Sequence, residues 1–271
     1  MNGYLIVIKG TEKLGDDSVV LGILESWVNH PIPSLRPNRY GFGEPLKKVL
    51  DAGSCRELAE EWKAAGRAGM LQRNTKPRFL VDFDWRKEIG RDTRLFPWGC
   101  VVWLDRSAGD ANAIALLGFL IKRLDPVFAY ATTDSDEKAK HFVQYKDRVG
   151  VIQKYVGLEV ENQLPGIYWR TYFGRHLKDR FGSVLGSPKL KLNLVIEANG
   201  FTISPFDTSD LAGSDSAREK ERSITEVLGV DAFFDLIKFD PTSIKLSTRD
   251  TKVIEAAVAE KTTNGPTTVS G

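Results

Sequence analysis

Histidine and cysteine are scarce in this chain of 271 residues, and that scarcity removes whole classes of chemistry. Only His30, His141 and His176 occur, far apart in sequence. None has the His-x-x-x-His or Glu-x-x-His spacing that sets two metal ligands on one helix face. The two cysteines, Cys55 and Cys100, belong to no CxxC pair and no Cys/His cluster. One falls on an expected helix and the other beside an apolar strand, so both read as small buried hydrophobes, with a disulfide left open. A secreted disulfide framework does not fit them. Charge of one sign is lacking too. Lys and Arg total 38 against 36 Asp and Glu, a formal net charge of +2. That balance shows neither the basic excess of a general nucleic-acid binder nor the acidic excess of a DNA mimic. The strongest apolar run, Ala111 to Ile121, is too short to cross a bilayer as a helix. The opening MNGYLIVIKGTEKLGDD has no basic region before its apolar stretch and no small-residue cleavage site after it. The cytoplasm is the expected location.

Catalytic motifs are missing as well. There is no G-x-S-x-G elbow. Gly41-Phe42-Gly43-Glu44 has neither the spacing nor the preceding strand of a phosphate cradle. Neither catalysis nor a cofactor is expected.

What is present is ordinary globular material, 42% apolar and 27% charged, enough for a substantial core. Tyr4 to Ile8 reads as a strand. Asp16 to Val28 reads as a helix, with Val19, Val20, Ile23 and Trp27 at spacings of three and four. His30 to Pro45 reads as a long loop. Ser54 and Glu57 fit a capping box that opens a helix burying Leu58, Trp62 and Ala65. Phe79 to Trp85 alternates, with Phe79, Val81, Phe83 and Trp85 on one face and Leu80, Asp82 and Asp84 on the other. A second strand, Trp98 to Asp105, follows. Asp110 caps an expected helix from Ala111 to Leu124 that is apolar nearly all round. Asp125-Pro126 ends it, and Phe128 to Thr133 is a strand. Asp134 with Glu137 opens a short helix, and Arg175 to Phe181 makes a basic helical turn. Alternation from Lys189 to Glu197, then Asn199-Gly200, predicts a hairpin returning over Phe201 to Phe206. Ser216 and Glu219 give another capping box, for a helix stopped by Gly229. A short helix is expected over Asp231 to Ile237, and a helical turn or two over Val253 to Glu260. The fold class is α+β, a largely antiparallel sheet with helices packed on a face. Residues 1–247 are expected to form one domain, with a poorly ordered tail over 248–271.

Two groups of residues invite a functional reading. Asp82 and Asp84 share a strand face, so they can converge on a divalent cation, act as an acid/base pair, or simply form the solvent side of an amphipathic strand. Within Ile167 to Phe173 a strand sets Tyr168, Arg170 and Tyr172 on one face and Ile167, Trp169, Thr171 and Phe173 on the other. Tyr and Arg are enriched at binding hot spots. The tyrosines are therefore either core or a contact patch, and an RNA-stacking platform is a further alternative.

That same stretch, LPGIYWRTYFG, is followed by a helical turn and an amphipathic hairpin. It resembles the immunity proteins of bacterial polymorphic toxin systems, in particular the immunity protein 52 family. VVWLDRS, the apolar helix ending in LDP, and FAYATTD support the likeness, which covers about Phe79 to Phe206. The resemblance implies an antidote that binds a cognate toxin, often delivered by type VI secretion and usually a restriction-endonuclease-like nuclease. It blocks that toxin sterically, with no catalytic residues of its own. On this reading Tyr168, Arg170 and Tyr172, with the acids Asp82 and Asp84, form the partner-binding set. No direct nucleic-acid or membrane binding is expected. The alternatives are a metal-assisted enzyme built on Asp82 and Asp84, or an RNA-binding module.

Overall fold

The computed structural model describes residues 3–11, 13–84, 99–146, 151–158, 160, 163–190 and 193–240. In chain order these carry β1 (Tyr4–Lys9), α1 (Asp17–Val28), β2 (Arg39–Gly41), β3 (Lys48–Val49), α2 (Cys55–Ala64), β4 (Ala68–Arg73), β5 (Phe79–Asp84) and β6 (Cys100–Leu104). Then follow α3 (Asp110–Leu124), β7 (Phe128–Thr133), α4 (Asp134–His141), β8 (Phe142–Lys146), β9 (Val151–Tyr155) and β10 (Arg170–Gly174). The last are α5 (Arg175–Phe181), β11 (Leu194–Glu197), β12 (Gly200–Ile203) and α6 (Asp215–Leu228).

Ten strands form one sheet in the order β11-β12-β10-β7-β1-β6-β5-β4-β2-β3. Every pairing within it is antiparallel. Strand β1 lies between β6 and β7, which is why its run YLIVI is apolar without alternation: both faces are covered. Tyr4, Ile6 and Ile8 join the core under α1, α2 and α3, with Val20, Leu24, Trp27, Leu58, Trp62 and Leu116. Leu5 and Val7 face the other way, into a second core with Phe128, Tyr130 and Phe173. Leu177 and Phe181 of α5 and Ile224 and Leu228 of α6 close that core. The expected α+β class and antiparallel sheet hold, and helices occupy both faces of the sheet. Trp62 stacks on Phe83 at 4.5 Å between ring centres; truncating a ring so buried costs about 3–5 kcal/mol.

Several local expectations are corrected. Ser54 does not cap α2; its hydroxyl accepts from Asp51 N–H and donates to Asp51 O. Ala59, not Ala65, completes the buried stripe of that helix. Asp110 is the first residue of α3 rather than its cap, and its carboxylate accepts from Tyr4 Oη at 2.7 Å and Ser209 N–H at 3.0 Å. Helix α6 is capped by Ser214, whose hydroxyl accepts from Ala217 N–H, two residues before the expected box. The hairpin forms, but its strand begins only at Leu194 and its loop is Ala198-Asn199. Gly200 is required for a close approach instead: a Cβ there would sit 2.2 Å from Phe173 O. Of the helix expected over Asp231 to Ile237 only Asp231 and Ala232 are helical, within a 3-10 turn over Val230–Ala232. The strand β4, the β8–β9 hairpin and the short β2 and β3 were not anticipated; β2 cuts across the expected long loop and β3 follows it. Both cysteines are free and buried. Trp85, Trp98, the helical turns over 253–260 and the tail over 248–271 lie outside the described residues.

Candidate binding groove

The segment Leu164–Gly174 enters the sheet through a tight approach rather than as one long strand. Leu164 bridges to Phe233, Tyr168 N–H donates to Thr171 Oγ1 at 2.8 Å, and only Arg170–Gly174 pairs, between β7 and β12. Tyr168 is fully buried. Its ring lies 3.9 Å from that of Tyr130, nearly parallel at 10°. Tyr172 is buried in the opposite core. Both rings are buried, so of the two alternatives left open for these tyrosines the structure gives core, and neither ring stands as an exposed stacking platform for RNA.

Around Tyr168 lies a polar cluster that sequence reasoning missed. His141 Nδ1–H donates to Val156 O at 2.8 Å, so its Nε2 accepts from Tyr168 Oη at 2.5 Å. Burial pushes this imidazole down to about 4 and keeps it neutral. Lys140 Nζ donates to Asp136 Oδ2 at 2.9 Å, Glu221 Oε1 at 2.9 Å and Ile167 O at 2.8 Å. Arg218 Nη2 stands 3.6 Å from Asp136 Oδ1, an oxygen with no hydrogen-bond partner. Tyr130 Oη donates to Glu137 at 2.5 Å. Burial raises Glu221 to about 7 against the pull of Lys140, and raises Glu137 as well. Asp136, Glu137, His141 and Glu221 are all buried, so the cluster ties α4, α6 and β7 together and offers no surface to a substrate.

Arg170 and Tyr172 have a different environment. Helix α3 packs over β7 and β1, and the strip of the same sheet face formed by β10, β12 and β11 continues beyond it. Between them runs a groove of about 560 Å³, walled by Ile114, Gly118 and Lys122 of α3 and by Val195 of β11, with Arg170 and Tyr172 in its lining. Ile114 is 38% exposed and Val195 is 60% exposed. Tyr172 Oη donates to Asn199 O at 3.0 Å, and burial pushes its phenol up to about 12. The Arg170 guanidinium donates only to backbone, to Phe206 O at 2.7 Å, Trp169 O at 2.9 Å and Asp207 O at 3.1 Å. Among the described residues no carboxylate forms an ion pair with Arg170 or Lys122. Lys13 and Asp125, also in the lining, stand 4.0 Å apart. The groove is therefore largely apolar on its walls and mixed in charge, with Lys13, Lys122 and Arg170 beside Asp125 and Glu197, and with Asp207 and Asp110 near enough to Arg170 to act on its charge.

Asp82 and Asp84 lie elsewhere. The register links Arg170 to Ala131, Ile6, Val102 and Val81 across neighbouring strands, so these residues share a face. Asp82 and Asp84 point to the opposite face, four strand spacings or about 19 Å from β10. The five residues of the expected partner-binding set do not form one patch. Asp82 is exposed and Asp84 half-buried. Among the described residues no group of three or more His, Cys, Asp or Glu is placed to hold a metal ion. The groove residues Ile114, Lys122 and Val195 were not singled out from sequence. For Ile114 the one signal is the second apolar stripe that made α3 read as apolar nearly all round; Lys122 and Val195 had none.

No family model matches the chain, and no curated protein matches it. The likeness to the immunity protein 52 family thus stands on the quoted residues alone. Among solved structures, the chain is similar to the Pseudomonas aeruginosa T6SS protein PA0821. The TM-score is 0.53 at 12% sequence identity, covering 86% of this chain and 76% of that one. At that identity the likeness is one of fold. Among the described residues no helix is long and apolar enough to cross a membrane.

Proposed function

We propose that this chain is an immunity protein that binds a cognate secreted toxin and neutralises it by occlusion, without catalysis of its own. The observation that carries the reading is the groove beside α3, whose walls expose Ile114 and Val195 and whose lining holds Arg170 with its guanidinium hydrogen-bonded to backbone carbonyls. Open apolar surface edged by charged side chains suits a protein partner, because burial supplies affinity and charge supplies orientation and speed of encounter. The fold of a T6SS protein and the LPGIYWRTYFG stretch support a toxin of type VI secretion as that partner, with a nuclease as its expected class and the cytoplasm as the place of action.

The test is co-expression with the effector encoded beside this chain. The wild type should protect cells and co-purify with the toxin. A double variant, Ile114→Glu with Val195→Glu, alters two exposed positions and should fold normally while losing at least tenfold in affinity and its protection. A wild type that neither binds nor protects would sink the reading. A double variant that protects fully would remove the groove from it.

A further inference from the structure

Helices cover the groove side of the sheet only in part. On that face α2 lies over β4, α1 packs beside α2, and α3 lies over β7 and β1. The floor of the groove is the next strip, β10, β12 and β11, and no α-helix besides α3 lines it. On the opposite face β10 and β12 are closed by α5, through Leu177 and Phe181 against Phe173 and Phe201. The bare strip is one helix wide. From β10 across β12 to β11 is two strand spacings, about 10 Å, and a helix with its side chains is about 10–12 Å across. An extended chain suits this floor less well. The ladder bonds below are already made within the sheet, so a strand laid on it would bury unpaired backbone groups, whereas a helix pairs its own. On the α3 wall Gly118 has open space where a Cβ would stand, so a helix axis can come close.

Charge on the two walls marks the flanks of such a helix. On the α3 wall Lys122 is exposed, and Asp125 stands 4.0 Å from Lys13. Across the groove Glu197 of β11 is exposed, and its carboxylate accepts from Thr202 Oγ1 at 3.0 Å. Among the described residues neither Lys122 nor Glu197 forms an ion pair. Arg170, hydrogen-bonded to carbonyls with Asp207 and Asp110 nearby, makes no comparable demand.

We infer that the groove takes one amphipathic helix of the partner protein, laid beside α3 with an acidic flank toward Lys122 and a basic flank toward Glu197. This rests on the reading of the chain as a toxin-binding protein and specifies which part of the toxin is held. The apolar stripe of the helix lies against Ile114 and Ile121 on one side, Val195 on the other and Tyr172 below. Strands β10 and β12 have five and four residues, about 13–17 Å of floor, which is the length of about ten helical residues.

The flanks are tested with three stapled helical peptides that share one leucine stripe. One has glutamate on one flank and lysine on the other, one has glutamate on both, and one has lysine on both. In fluorescence anisotropy the wild type should bind the mixed peptide at least fivefold tighter than either of the others. Lys122→Glu should prefer the all-lysine peptide and Glu197→Lys the all-glutamate peptide, each at an unchanged melting temperature. If a reversal does not fold, Lys122→Gln or Glu197→Gln takes its place and should reduce the preference for the mixed peptide. One order of preference in all the proteins, or no binding of the mixed peptide, overturns the helix site. A photo-crosslinker in place of Ile114 or Val195 then reports what occupies the groove in the toxin complex. Captured toxin residues should lie in one stretch, spaced by three, four or seven. Capture at a spacing of two, from separate stretches, or not at all overturns the helix and leaves the toxin reading standing. The expected peptide preferences, with no toxin bound by the wild type, support the helix site and overturn the toxin reading. A wild-type dimer in light scattering that Val195→Glu dissolves overturns the foreign helix in favour of a second copy.

Discussion

Tyr168 and Arg170 are two residues apart and serve opposite ends. Tyr168 closes a cluster in which Lys140 is fully engaged by Asp136, Glu221 and Ile167 O, and His141 by Val156 O and Tyr168. Arg170 lines an open groove and is held by carbonyls alone. Partner completeness, not residue type, separates the two regions. Buried polar groups that satisfy each other build the fold, and leave nothing for a ligand. Arg170 has Asp207 and Asp110 in its surroundings but hydrogen-bonds to backbone carbonyls, so its charge is less closely engaged than that of Lys140. The Tyr and Arg types that mark hot spots are present in both regions, so type alone cannot locate an interface.

The comparison is tested most severely by removing the central cation of the closed region. Lys140→Met leaves Asp136 and Glu221 buried around an apolar side chain, and should lower unfolding free energy by about 3–5 kcal/mol in urea titration. Lys122→Met in the groove should stay within about 0.5 kcal/mol of wild type, since that ammonium is exposed. Equal losses would erase the distinction. A smaller effect follows for the two tyrosines. Tyr168→Phe strands His141 Nε2 in the core and should cost about 1–3 kcal/mol. Tyr172→Phe gives up one bond to Asn199 O at the groove and should cost about 1 kcal/mol.

Sequence carried the periodic elements well and the environment of the site poorly, for a physical reason. Val20, Ile23 and Trp27 mark the buried face of α1 by spacing alone, and Asp82 and Asp84 do share a strand face. Whether Tyr168 is core depends on Tyr130, His141 and Lys140, contributed by elements that nothing local ties to it. One local signal was available: Ile167 to Phe173 is apolar or aromatic at nearly every position, which marks a segment covered on both sides rather than a half-exposed strand. Gly200 was legible as special but for the wrong cause, a turn dihedral instead of contact with Phe173 O. The groove required knowing that α3 stops short of β11 and β12, a fact of sheet order that no window of sequence contains.

The titration of the closed region gives a third contrast. His141 is held down to about 4 from 6.5, so between those values the unfolded chain binds more protons and stability rises with pH. Glu221 is held up at about 7 from 4.5, so across that span the folded chain binds more protons and stability falls with pH. Glu137, also raised, acts in the same sense as Glu221. These slopes oppose each other, each limited to about 1.4 kcal/mol per pH unit. Glu221→Gln should therefore tilt the melting temperature upward with pH between about 4.5 and 6.5, and His141→Gln should tilt it downward. Lys122→Met should leave the wild-type profile unchanged. Identical profiles for Glu221→Gln and His141→Gln would refute the opposition.

The smallest effect gives the cleanest separation of folding from recognition. Gly22 in the middle of α1 and Gly118 in the middle of α3 each have open space where a Cβ would stand. Glycine in a helix interior is worse than alanine by about 0.5–1 kcal/mol, because its unfolded backbone loses more freedom. Gly22→Ala and Gly118→Ala should thus stabilise the chain by the same amount, raising the melting temperature by a few degrees. Only Gly118 lines the groove. If the bare backbone there gives room to a side chain of the partner, Gly118→Ala should weaken the toxin complex while Gly22→Ala leaves it unchanged. Paired melting and affinity measurements decide it: stabilisation by both with no difference in binding would show that the groove wall at this turn of α3 touches nothing.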